Sequence, residues 1–173
     1  MELQEELEKM RVQIHADSYS VSIGEWISLY EKDEVDIHLD RLKLSNWDNT
    51  QKTQFIESIL LGIPLPPIVV LQRSDGVWNV LDGLQRLYTI YQFVGILKDE
   101  KGNLLPPLVL EGTKFLPSLK GKKWDDPDDP ENSLDMNQRF YIKRTNLRVN
   151  ILLMENDDIA KYEAIRWSRF NQN

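Results

Sequence analysis

IVVLQRSDGVWNVLDGLQRLYTIYQFV, residues 68–94, carries most of what the chain reveals about its fold. Ile68-Val69-Val70-Leu71 is an unbroken apolar run of strand length, and residues 77–81 form a second strand-like run. Ser74-Asp75-Gly76 between them is a hairpin turn signal. After Asp82-Gly83 the period changes, with Leu87, Ile90, Tyr91 and Val94 at helical spacing. The stretch predicts strand, turn, strand and helix. It also sets Asp82, Gly83, Gln85 and Arg86 where the second strand becomes the helix.

Two readings of that junction are open. In the first, Asp82 is a helix cap, a common role for Asp. In the second, the junction is a phosphate site. A helix N-terminus presents unpaired N–H groups and the positive end of the dipole. Gly83 lacks a Cβ, so a ligand can approach the backbone. Arg86 falls in the first turn and has the planar fork that grips phosphate. An ionised Asp82 would repel a phosphate unless Mg²⁺ or an arginine intervenes, and a carboxylate beside a phosphate-binding turn is a common way to hold Mg²⁺.

Upstream, residues 64–67 (PLPP) force an extended entry into the first strand. Before them, Phe55, Ile56, Ile59 and Leu60 share one face of a helix that starts after the cap residues 46–49 and closes at Gly62. Residues 36–44 alternate and predict an extended segment carrying Arg41. Trp47, between Arg41 and that helix, is either packed under the helix or near the site. Residues 2–14 predict an amphipathic helix and residues 19–23 a strand. Ser22 and Glu25 form a capping box for a further helix. Downstream, residues 98–103 predict a turn and 104–110 a strand interrupted by Pro106-Pro107. A charged loop at 120–133, a helix at 135–145, a strand at 147–154 and a helix capped by Asp157 follow.

With 173 residues the chain is one domain of ordinary size. Cysteine is absent, which excludes disulfides, thiolate zinc sites and cysteine nucleophiles. Only His15 and His38 represent histidine, and neither has a partner at ligand spacing. The acidic run Asp125, Asp126, Asp128, Asp129 and Glu131 lacks the alternating positions and the glycine of a calcium loop, so it reads as a solvated loop. A net charge of −7 argues against a generally adhesive nucleic-acid binder. No apolar run has the length of a membrane span, and the acidic N-terminus is unlike a signal peptide; a cytoplasmic location is expected.

Read in order, Arg41, Trp47, the helix ending ESILLG, the proline run, the hairpin and DGLQR resemble the family marked by a DGQQR motif. This family supplies the N-terminal domain of GmrSD-type modification-dependent restriction enzymes and related phage-defence proteins. The resemblance covers residues 35–95 well and the last strand and helix more weakly. It implies an α+β domain of the ParB/sulfiredoxin type, a small mixed sheet with packed helices, spanning residues 1–173 as the N-terminal part of a longer protein. Asp82, Gly83, Gln85 and Arg86 match the motif, and Arg41 matches an upstream arginine. Leu84 replaces the first Gln, and Leu39-Asp40-Arg41 replaces a more usual Tyr-Gln-Arg. The implied function is nucleoside triphosphate binding and hydrolysis that controls a downstream or partner nuclease. Arg41, Gly83, Arg86 and Trp47 would hold the nucleotide, Asp82 would serve Mg²⁺ or the attacking water, and Gln85 would help position that water. This chain alone is not expected to cut DNA. The alternatives are a DNA-acting module that grips a DNA phosphate at the same turn, and a non-catalytic interaction domain of the same fold.

Overall fold

The computed structural model describes residues 2–37 and 47–154. Ten elements follow in order: α1 (Leu3–Gln13), β1 (Ile14–Tyr19), α2 (Ile23–Glu31), β2 (Val35–Asp36), α3 (Asn49–Leu60), β3 (Ile68–Gln72), β4 (Trp78–Asp82), α4 (Leu84–Val94), α5 (Met136–Arg144) and β5 (Val149–Met154). The class is α+β, with one mixed five-stranded sheet in the order β1-β5-β3-β4-β2. The β1–β5 and β3–β4 pairs are antiparallel, whereas β5–β3 and β4–β2 are parallel. No helix among the described residues is long and apolar enough to cross a membrane.

Local sequence explains most helix starts. Ser22 and Glu25 form the expected capping box of α2, Asp48 and Gln51 one for α3, and Asp135 and Gln138 one for α5. Burial explains where the helices go. Ile68 and Val70 in β3, Ile56 and Ile59 in α3, and Leu87, Ile90, Tyr91 and Phe93 in α4 are all at most 1 % exposed. Trp26 Nε1 donates to the Leu147 carbonyl at 2.7 Å, and Tyr91 Oη donates to the Trp26 carbonyl at 2.9 Å. These two bonds tie α2 to α4 and to the turn before β5, and they satisfy the buried Trp26 N–H and Tyr91 hydroxyl.

Two expectations need correction. The first strand runs over Ile14–Tyr19, not residues 19–23, and Ile14 leaves the helix to begin it. The cause is long-range: Ile14 to Tyr19 pair in register with Met154 to Val149. Residues 104–110 form no strand beyond one bridge, Lys98↔Leu104. Pro106 and Pro107 have no N–H to give a ladder, and Leu108 and Leu110 are instead buried by an irregular path. The charged loop at 120–133 is solvated as expected, with Asp125, Asp128 and Glu131 exposed, and it also carries internal ion pairs from Lys123 Nζ to Asp126 and Asp129, each at 3.1 Å. His38, Arg41, most of the extended segment expected at 36–44, and the helix expected after Asp157 lie outside the described residues.

Candidate functional site: the Asp82–Arg86 turn

The hairpin places the site. Because β3 and β4 are antiparallel, the end of β4 lies beside the start of β3, with Asp82 opposite Val69 and a register shift between Val69 and Val70. The proline segment that feeds β3 therefore passes the N-terminus of α4.

Asp82 is not the cap. It is the last residue of β4, half-buried, and Gly83 is the N-cap of α4. Gly83 has φ +99° and ψ 15°, the left-handed region, and makes no side-chain capping bond. Pairing of Asp82 in the ladder overrides its preference for a cap position. An added Cβ at residue 83 would stand 2.3 Å from Ile68 Cδ1 and 2.9 Å from Arg86 Nη2. Only glycine fits both the dihedral and the space. The first helical bond follows, Leu87 N–H to the Gly83 carbonyl at 3.1 Å.

Arg86 is 9 % exposed. Its guanidinium turns back over Gly83, donating through Nη1 to the Pro66 carbonyl and through Nη2 to the Pro67 carbonyl at 3.2 Å. Burial lowers its pKa, and the charge of Asp82 acts in the opposite sense. The carbonyls satisfy the fork without neutralising it, so a buried positive charge remains beside the bare turn. These two acceptors were not legible in the sequence, because they depend on strand register. Gln85 sits one position before Arg86 in the same turn.

Trp47 packs on α3, with its ring centroid 5.8 Å from that of Phe55, as the packing reading requires. One residue escaped the sequence reading. Lys52 is 8 % exposed on the α3–α4 seam, donating to Gln92 Oε1 at 2.8 Å, with Nζ 5.1 Å from the Tyr88 ring centroid. Burial lowers its pKa. A signal existed: Lys52 has helical spacing with Phe55, Ile56 and Ile59, on the apolar face of α3.

Among the described residues no group of three or more His, Cys, Asp or Glu side chains could hold a metal ion. Asp82 would hold Mg²⁺ together with substrate phosphates, since this ion is commonly bound through one or two carboxylates plus phosphates.

The turn thus joins one carboxylate, a side-chain-free helix start and one buried guanidinium. Arg41 lies outside the described residues. Neither a curated sequence nor a solved structure matches the chain. Residues 44–172 match the family described as "GmrSD restriction endonuclease, N-terminal domain", a span that takes in Trp47 and the whole turn but not Arg41. It includes the last strand, which the motif resemblance covers more weakly. The chain belongs to the family of GmrSD restriction endonuclease N-terminal domains.

Proposed function

We propose that this restriction-system domain binds and hydrolyses a nucleoside triphosphate at the Asp82–Arg86 turn. Turnover would control a nuclease on a downstream or partner domain, in a cytoplasmic setting. The supporting observation is the N-terminus of α4, where a left-handed Gly83 replaces a capping side chain and Arg86 lies directly over it. The other capped helices α2, α3 and α5 satisfy their first turns with capping boxes.

In this reading the phosphates meet the backbone N–H groups after Gly83 and the positive charge of Arg86. Arg41 and Trp47 would add further contacts to the nucleotide. Asp82 orients the attacking water or holds Mg²⁺, which would supply charge neutralisation on the phosphates. Gln85 positions the water. DNA cleavage belongs to the nuclease partner, with DNA reached through the full-length protein.

The Arg86 bonds to Pro66 and Pro67 favour a second reading, a non-catalytic domain in which Arg86 only braces the proline segment. One experiment separates the two. Melting temperature and phosphate release are measured with each of four NTPs and Mg²⁺. A ligand at about 100 times its Kd adds about 2.7 kcal/mol of stability. Stabilisation with phosphate release supports the enzyme. Stabilisation without release leaves a binding domain. No response to any NTP removes the nucleotide reading.

A further inference from the structure

The outer face of α5 combines exposed apolar and aromatic side chains with basic ones. Ile142 is buried, while Met136, Phe140 and Tyr141 are exposed at 59, 39 and 48 %. From residue 136 to 154 the chain carries Arg139, Lys143, Arg144 and Arg148 and no Asp or Glu, within a protein of net charge −7. Two of these cations are committed: Arg139 faces Asp125 at 3.8 Å, and Arg148 donates to Ser18 Oγ at 2.9 Å. Lys143 and Arg144 have no carboxylate partner among the described residues, and both are exposed. Asn137, Phe140, Tyr141, Arg144 and Thr145 line an open hollow of about 430 Å³. The Arg144 guanidinium lies 4.9 Å from the Phe140 ring centroid, one helical turn away.

Aromatic planes half open to solvent, beside cations with no carboxylate partner among the described residues, suit a partner that offers both flat rings and negative charge. Ring faces stack on unpaired bases, which a duplex hides, and the cations meet the phosphates between those bases. A purely apolar protein partner would leave Lys143 and Arg144 desolvated without compensation. We propose that the outer face of α5 binds single-stranded nucleic acid. Phe140 and Tyr141 stack on bases, Lys143 and Arg144 contact phosphates, and Asn137 and Thr145 offer hydrogen bonds to base edges. This surface is separate from the Asp82–Arg86 turn and does not rest on the nucleotide reading.

The test uses the 173-residue chain without NTP and a fluorescein-labelled twelve-nucleotide oligothymidylate, followed by anisotropy at several salt concentrations. A duplex of the same length is the comparison. The single strand is expected to bind more tightly than the duplex. Phe140→Ala and Tyr141→Ala should each weaken binding about five- to hundredfold, the range for loss of one stacked base. Phe140→Leu, which keeps bulk and loses the ring face, should weaken it similarly. Lys143→Glu with Arg144→Glu should flatten the salt dependence by about 1.4 log units per log unit of salt, the value for two phosphates on a single strand. Circular dichroism melts show that the variants stay folded. Absence of single-strand binding by the unaltered chain would overturn the proposal. So would folded ring variants that bind as well as it does, or equal binding of duplex.

Discussion

Arg86 lies across Gly83, with Nη2 2.9 Å from the position that a Cβ on residue 83 would occupy. A non-glycine residue there would meet three conditions at once: φ +99°, the Ile68 side chain and the guanidinium. The left-handed conformation costs about 1–2 kcal/mol for an alanine, and overpacking a buried contact adds about 1–3 kcal/mol. Gly83→Ala is expected to lower unfolding free energy by at least about 2 kcal/mol in urea titration. A loss under about 0.5 kcal/mol would show that the turn relaxes freely.

Arg86→Ala removes both bonds to the proline segment. A hydrogen bond from a charged group contributes about 1.5–3 kcal/mol, so a loss of about 2–4 kcal/mol is expected for the non-additive pair. Arg86→Lys keeps the charge but has no fork, and should recover less than half. If Arg86 also grips phosphate, Lys will restore NTP affinity more fully than stability. Parallel recovery of the two in calorimetry and urea titration would assign Arg86 to bracing alone.

Asp82 makes no capping bond, so Asp82→Asn should leave stability within about 1 kcal/mol of the parent. The proposed enzyme predicts loss of phosphate release in this variant. Equal turnover in parent and variant, at matched melting temperatures, would remove Asp82 from the chemistry.

The hairpin turn offers a pH prediction. The Arg73 guanidinium, at 2.6 Å, and the Val77 N–H hold the Asp75 carboxyl down to about 2, from 3.8. A depressed carboxyl favours the folded state while ionised. Its contribution is therefore present above 3.8 and is lost as pH falls towards 2. Carboxyl NMR should show Asp75 titrating near the bottom of that window, and Arg73→Gln should move it upward. An unchanged midpoint in Arg73→Gln would reject the pairing.

The parts of the fold legible in the sequence are those written in local pattern. The helical faces of Phe55 to Leu60 and Leu87 to Val94, the Ser74-Asp75-Gly76 turn, and the Ser22 and Glu25 box all lie within a few residues of the structure they specify. What failed was set at a distance. β1 exists because residues 149–154 pair with it. Gly83, not Asp82, starts α4 because Asp82 is drawn into the ladder opposite Val69. At the site, Gly83 and Arg86 were legible as a pair, from glycine's missing Cβ and the first-turn position of the arginine. The carbonyls of Pro66 and Pro67 were not, because no local rule says which backbone runs past a helix start.

The sheet order has a consequence for how the chain assembles on the ribosome. β5, the last of these five strands to be synthesised, inserts between β1 and β3. Until it emerges, β1 has no neighbour, the apolar edge of β3 is open, and the Leu147 carbonyl that receives Trp26 is missing. Contacts this far apart in sequence form slowly, and an open apolar strand edge invites pairing with other chains. Nascent chains shorter than residue 149 are therefore the stage at which this domain is most exposed to aggregation, and chaperone capture would matter most there.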